Sequence, residues 1–235
     1  MRKFWFDGHC CEEFGIVCSG SGTFAAPERD VTVVDIPGRN GTLTMDNGRY
    51  KNVTITYPAA VPREFSARAA AIRAWLLGPN GYRRLEDEYQ PDCYRMARFA
   101  GPLEFDAGFL NRSASMSLAF DCMPQRWLKS GEYAQPIANG QALCNPTGFK
   151  ALPLIEVDLT GEAAALQVGE VTVQFAGYTG LLVLDCDLQD AYEGTSNLNR
   201  YVTAAQFPVL PAGKTEISWS VGVSSVRLTP NWWTL

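Results

Sequence analysis

The chain has 235 residues, 46% apolar and 11% aromatic, with 20 Lys and Arg against 25 Asp and Glu for a net charge of -5. That is enough apolar material for one large or two small folded domains, which excludes bulk disorder. The acidic balance argues against sequence-independent DNA binding, which needs a basic face to displace counterions. No run of about 18 apolar residues exists, so no membrane-spanning helix is expected.

At the N-terminus, Arg2 and Lys3 imitate the start of a secretion signal, but Asp7, Glu12 and Glu13 interrupt any apolar stretch after them. No signal peptide is read there. Seven cysteines stand at 10, 11, 18, 93, 122, 144 and 186, with no C-x-x-C pair. A metal site of His9, Cys10, Cys11 and Cys18 is conceivable, but adjacent Cys10 and Cys11 cannot easily wrap one ion. Small, half-buried thiols in a reducing compartment are the better reading, with no metal and no cofactor expected. "SGSGTF" at 19–24 lacks the spacing and the Lys-Ser/Thr of a phosphate loop and reads as flexible.

"VVDIPGRNGTLTMDNGRYKNVTITY", from Val33 to Tyr57, reads as strand, turn, strand, turn, strand. Pro37-Gly38-Arg39-Asn40-Gly41 is the first turn and Asp46-Asn47-Gly48 the second. Arg39 and Asn40 occupy one tip, and Arg49-Tyr50-Lys51 follow the other turn. The ribbon can cradle phosphate, close back on its own domain, or serve as a tab gripped by another chain. Phosphate ranks last, because no helix N-terminus follows the turn.

"REFSARAAAIRAWLLGPNG" predicts one helix of about three turns, with Ser66 as N-cap and Gly78-Pro79 as stop. Ala69, Ile72, Trp75 and Leu76 form its buried stripe, with Arg68 and Arg73 toward water. Glu86, Asp87 and Glu88 then make a carboxylate cluster. Consecutive carboxylates point different ways, so a solvated turn is preferred to a glycosidase pair. With His9 the sole histidine and no G-x-S-x-G, a nucleophilic triad has little to build on, and no catalytic residue is assigned.

Strands are expected at 31–36, 53–57 and 94–99. In "SASMSLAFDC", Ser113–Cys122, Ala114, Met116, Leu118 and Phe120 share one face and Ser113, Ser115 and Ser117 the other. "KSGEYAQPIANGQALCNPTGFKALP" has no period and is rich in Gly, Pro, Asn and Ala, so the domains are placed at 1–132 and 148–235 with a linker at 133–147. Beyond it, "LPLIEVDLTG", "LQVGEVTVQFAG", "GLLVLDCD", "TEISWSVG" and "SSVRLTPNWW" are five strand candidates at the spacing of a β-sandwich.

Several of these stretches, in this order, resemble the distal tail proteins of long-tailed phages and prophages of Gram-positive bacteria. They are Phe6-Asp7-Gly8 with Phe14-Gly15-Ile16, "ERDVTVVDIPGRNGTL" with "DNGRYKNVTITY", and "IRAWLL" with "YRRLEDEYQPDCYRMARF". "LAFDCMPQRWLKSGE" follows, then Asn145-Pro146-Thr147, "LVLDCDLQDAY", "FPVLPAGKTEISW" and the ending Pro230-Asn231-Trp232-Trp233. The resemblance covers nearly the whole chain.

It implies a mainly β protein: an N-terminal β-sandwich-like domain with one α-helix and a β-hairpin arm, then a C-terminal galectin-like β-sandwich. It implies a structural protein and not an enzyme. Members form a six-fold homo-oligomeric ring at the distal end of the tail tube. One face meets the tube protein and the other the tail-tip hub protein. The C-terminal sandwiches project toward receptor-binding proteins. The expected location is the virion tail tip or a tail-like particle, after synthesis and assembly in the host cytoplasm, with no specific nucleic acid and no membrane as partner. Larger members carry an inserted carbohydrate-binding module, for which this second domain has no room.

On this reading the ribbon is the inter-subunit arm or flanks it, with Arg39, Asn40, Arg49 and Tyr50 as interface residues. A hairpin folded back on its own domain stays open beside it. The alternative function is a carbohydrate-binding module for host cell-wall attachment, with Trp219, Trp232 or Trp233 stacking sugars. A hydrolase is the third reading.

Overall fold

A computed structural model of the chain describes residues 3–18, 20, 24–108 and 110–235. The stretch 19–24, read from the sequence as a flexible loop, lies outside them except for Gly20 and Phe24. The chain forms two compact units, Met1–Arg126 and Trp127–Thr234.

The first unit opens with β1 (Phe4–Phe6) and β2 (His9–Cys10), joined at Asp7-Gly8. Both turn residues have positive φ, 52° and 82°, the tight hairpin turn for which a small polar residue and Gly are suited. Then follow β3 (Val17–Cys18), β4 (Arg29–Asp35), β5 (Thr42–Tyr50), β6 (Val53–Val61), α1 (Phe65–Leu77), β7 (Arg83–Asp87), β8 (Cys93–Phe99), β9 (Asp106–Gly108) and β10 (Ser113–Cys122). The antiparallel order β2-β1-β7-β8-β10-β6-β3, with β9 added on β10, makes one sheet. β4 and β5 stand outside it as a separate two-stranded sheet.

Alternation decides which face of this sheet is buried. Ala114, Met116, Leu118 and Phe120 of β10 point inward, and Ser115 and Ser117 are exposed. β6 alternates in the same way and runs through Pro58 to Val61, four residues past the expected end at Tyr57. Pro58 reads locally as a stop, yet its side chain is exposed and the β10 register continues across it.

Helix α1 covers the apolar side with Phe65, Ala69, Ile72, Trp75 and Leu76. Its start differs from the sequence reading. Ser66 is not the cap: Glu64 precedes the helix in a left-handed conformation (φ 57°) and no side chain caps it. The N–H groups of Phe65 and Ser66 donate instead to the carbonyls of Arg112 and Asn111, and the Ser66 hydroxyl also donates to Asn111 O at 2.7 Å. A distant loop thus satisfies donors that a local cap would otherwise serve. Arg68 is not simply in water either. It is half-buried, pairs with Glu64 at 3.0 Å, and its guanidinium covers Gly15, where a Cβ would come within 2.9 Å of it. Arg73 stands over the Phe105 ring at 5.5 Å.

The second unit comprises β11 (Arg126–Leu128, which begins at the unit boundary), β12 (Gln135–Ile137), β13 (Gln141–Asn145), β14 (Leu154–Thr160), β15 (Ala164–Val168), β16 (Val171–Phe175), β17 (Thr179–Asp185), β18 (Asp190–Glu193), β19 (Ser196–Asn197), β20 (Val202–Ala204), β21 (Gly213–Trp219), β22 (Val223–Thr229) and β23 (Trp233–Thr234). One sheet is ordered β12-β22-β14-β17-β18-β19 and the other β13-β21-β15-β16-β20. Their inner faces enclose a shared core that includes Ile155, Val157, Leu166, Val173, Leu182, Ile217 and Leu228, the sandwich expected.

Two local readings need correction here. The stretch 133–147 is not a linker: it supplies β12 and β13, which pair with β22 and β21. Gln135 meets Leu228 and Gln141 meets Ile217, partners so distant that no local period marks these short strands. "LQVGEVTVQF" is a hairpin of β15 and β16 turning at Gly169-Glu170, and not one strand.

The sandwich core also sets a backbone constraint. A Cβ on Gly131 would lie 2.7 Å from both the backbone N and the ring Cδ1 of buried Trp232. Asn231 N–H donates to Gly131 O and Leu128 N–H to Trp232 O, so neither segment can simply retreat. Gly131→Ala should therefore destabilise the second unit by about 1–3 kcal/mol, the range for overpacking. Chemical denaturation followed by tryptophan fluorescence checks this.

Candidate functional site: the free ribbon

Strands β4 and β5 pair only with each other among the described pairings. Val34 lies opposite Leu43 and Thr32 opposite Met45, so these four share one face. Val31 and Val33 lie on the other, opposite Asp46 and Thr44. Val33 and Met45 are each 56% exposed, and Val34, Ile36 and Leu43 are exposed as well. Apolar side chains on a strand pair normally mark a face turned into a core. Here, among the described residues, no part of the first unit covers them.

The second expected turn is absent. Asp46-Asn47-Gly48 lies inside β5. Val31 pairs with Asp46 but Arg29 pairs with Tyr50, so β5 spends four residue steps where β4 spends two. This is a bulge. Gly48 takes φ 74° there, and its N–H donates to Asp46 Oδ1 at 2.8 Å. A turn-forming triplet has been used to bend a strand and not to reverse it.

The bulge gathers charge at the ribbon's root. Arg49 Nε donates to Asp30 Oδ2 at 2.6 Å, Arg29 to Asp46 at 2.9 Å, and Lys51 pairs with Glu28 at 3.6 Å. The Arg49 hydrogen bond holds the Asp30 carboxyl below the ordinary range. The Arg29 guanidinium lies 4.8 Å from the centre of the Tyr50 ring. Of the four residues singled out in the sequence, Arg49 and Tyr50 thus sit together at the root, engaged within the ribbon. Arg39 and Asn40 occupy the exposed tip, where the Arg39 N–H closes the turn onto Ile36 O at 3.1 Å. The exposed valines, Leu43 and Met45 were not singled out. Their apolar character was legible, but it carries no sign of whether the covering partner is the same chain.

The remaining candidates are occupied elsewhere. His9 Nδ1 contacts Glu13 Oε2 at 2.9 Å and does not join the cysteines. Cys11 lies beside Cys18 and Cys10; the Cys18 contact lowers Cys11 to about 7, and the same contact raises Cys18. Asp87 is not the solvated turn residue expected. It is buried and accepts from the Tyr57 hydroxyl at 2.6 Å and from the N–H groups of Tyr89 and Gln90 at 3.0 Å. Burial, and then the Asp87 charge, push the Tyr57 hydroxyl up. Glu86 pairs with Arg84, and Glu88 accepts from Lys3 N–H at 3.1 Å. Trp232 fills the second core. Trp233 stacks on Phe149 at 4.5 Å, and Trp219 packs against the core half-buried. The three do not form one exposed aromatic platform. Among the described residues, no helix is long and apolar enough to cross a membrane.

The two units and the ribbon share their fold with solved proteins of phage tail tips. The chain superposes on the Dit protein of phage SPP1, described as a paradigm of the hub adsorption apparatus in phages infecting Gram-positive bacteria, with a TM-score of 0.80 at 12% identity over 100% of both chains. It also matches a chain of the phage p2 baseplate in its activated conformation, with strontium (TM-score 0.52) and with calcium (TM-score 0.53), each at 10% identity over 97% of both chains. No protein-family model matches the chain. No curated protein sequence matches it.

Proposed function

We propose that this chain is a structural protein of a phage tail tip or tail-like particle. It forms a homo-oligomeric ring, six-fold on the family resemblance, at the distal end of the tail tube and links the tube protein to the tail-tip hub. Receptor-binding proteins are the partners proposed for the second unit. On this reading the protein has no enzymatic activity, binds no specific nucleic acid and no membrane, and is assembled in the host cytoplasm.

The observation that carries the proposal is the free ribbon. An isolated two-stranded hairpin is marginally stable in water, and exposed apolar residues on it add a further cost. A neighbouring subunit that covers Val34, Leu43 and Met45, or pairs with a free strand edge, removes both. The match to hub and baseplate proteins over essentially the full length supports the same reading. The arm comprises β4 and β5, with Arg39 and Asn40 as tip contacts and Arg49 and Tyr50 setting the root. Sugar binding is the weaker alternative, since Trp232 is committed to the core.

Negative-stain images of the purified chain test the proposal: rings of uniform size are expected, and dispersed monomers at every concentration would refute it. Replacing Arg39 and Asn40 together by Ala keeps the turn glycines and removes only exposed polar groups. The melting temperature should hold, since surface changes usually cost within about 0.5 kcal/mol. Ring dissociation should shift to several-fold higher protein concentration, read by light scattering.

A further inference from the structure

We infer that Arg95 and Arg126 are positioning residues that fix the direction in which the ribbon leaves the first unit; the inference rests on the arm reading above. Arg95 comes from β8 and Arg126 from the end of the first unit, and they are only 5% and 9% exposed. Both reach the same backbone oxygen. Arg126 Nη2 donates to Ala25 O at 3.2 Å, and Arg95 Nη2 approaches it at 3.5 Å. Arg126 Nη1 also donates to Gln90 Oε1 at 2.9 Å. Ala25 belongs to the irregular segment 24–28 that leads directly into β4.

Two buried like charges on one carbonyl are a costly way to fill space. Burial lowers the proton affinity of both guanidiniums, and for Arg95 the Arg126 charge lowers it further. Asp87 acts on both with the opposite sign. Apolar side chains of similar volume commonly replace such groups without loss of stability. What apolar groups cannot do is hold a carbonyl at a fixed point. The grip at Ala25 is followed three residues later by a second one, where Lys51 N–H donates to Glu28 O at 2.9 Å. Two fixed points along the incoming strand restrict the swing of the whole ribbon, and a restricted arm loses less freedom on docking.

The test uses the full chain and a Glu-specific protease. Cleavage after Glu28 is compared with cleavage after Glu64 and Glu104, exposed sites in the same unit away from Ala25. In Arg126→Met, cleavage after Glu28 should rise about tenfold relative to the other two sites, and light scattering should show loss of rings. Arg126→Lys keeps the charge but replaces the planar fork by a single ammonium. It should give a smaller rise, about threefold, and guards against an Arg126→Met chain that fails to fold. Unchanged relative cleavage at Glu28 in both variants overturns the inference. So does an equal rise at all three sites, which would mean a general loss of fold. A selective rise at Glu28 with rings intact upholds the clamp and instead sinks the arm's part in assembly.

Discussion

Excising residues 29–50, and joining Glu28 to Lys51 through an Asn-Gly turn, leaves two folded units that no longer assemble. The junction is available because Lys51 N–H already donates to Glu28 O at 2.9 Å. The excised strands share no ladder with the main sheet, and their side chains are exposed except for Asp30 and Tyr50. The first core, from Phe4 to Cys122, contains none of them. Circular dichroism and the melting midpoint should therefore hold within a few degrees. Light scattering on the same samples should fall from the assembled mass to that of a single chain. A variant that fails to fold would place the ribbon in the stability of its own unit. One that still assembles would remove it from the interface.

Trp75→Ala should be the most damaging single change within the first unit. The ring stacks on Phe14 at 4.4 Å and on Phe4 at 5.7 Å, and meets Phe6 edge-on at 6.2 Å. Its Nε1–H donates to Phe6 O at 2.9 Å. Truncation leaves a large cavity between α1 and the sheet and removes the donor facing that carbonyl. The expected cost is about 3–5 kcal/mol, from the range for large aromatic truncations. Against a typical domain stability of about 5–15 kcal/mol, that is roughly a fifth of the whole or more. Leu76→Ala, on the same stripe, should cost about 2–5 kcal/mol. Urea titration should show an early first transition in both variants, with the second unit's transition unmoved. A Trp75→Ala midpoint equal to wild type would mean that the helix does not cover this core.

How much of this was legible depended on whether the deciding interaction was local. β10 was readable residue by residue, because a buried apolar residue recurs at every second position from Ala114 to Cys122. The α1 stripe was readable for the same reason, at the helical period. Its first turn was not, because the groups that satisfy Phe65 and Ser66 lie at 111 and 112. β12 and β13 escaped notice because each is short and flanked by turn residues, and only pairing with β22 and β21 makes them strands. Asp87 looked solvated because its neighbours are charged. Its burial follows from Tyr57, thirty positions away. At the ribbon, the tip residues Arg39 and Asn40 were visible as a polar turn. The bulge at Asp46-Asn47-Gly48 was not, since the same three residues close a hairpin or bend a strand according to what lies opposite them.

The central claim is that the ribbon joins copies of this chain into a closed ring, and the mass of the intact protein in solution tests it most directly. Multi-angle light scattering across a wide concentration range should reveal one dominant assembly of about 155 kDa, six times the 25.8 kDa chain, in equilibrium with monomer and without an open-ended series of larger species. A particle of 25.8 kDa at every concentration, or an assembly of the same mass after the ribbon is excised, would contradict it.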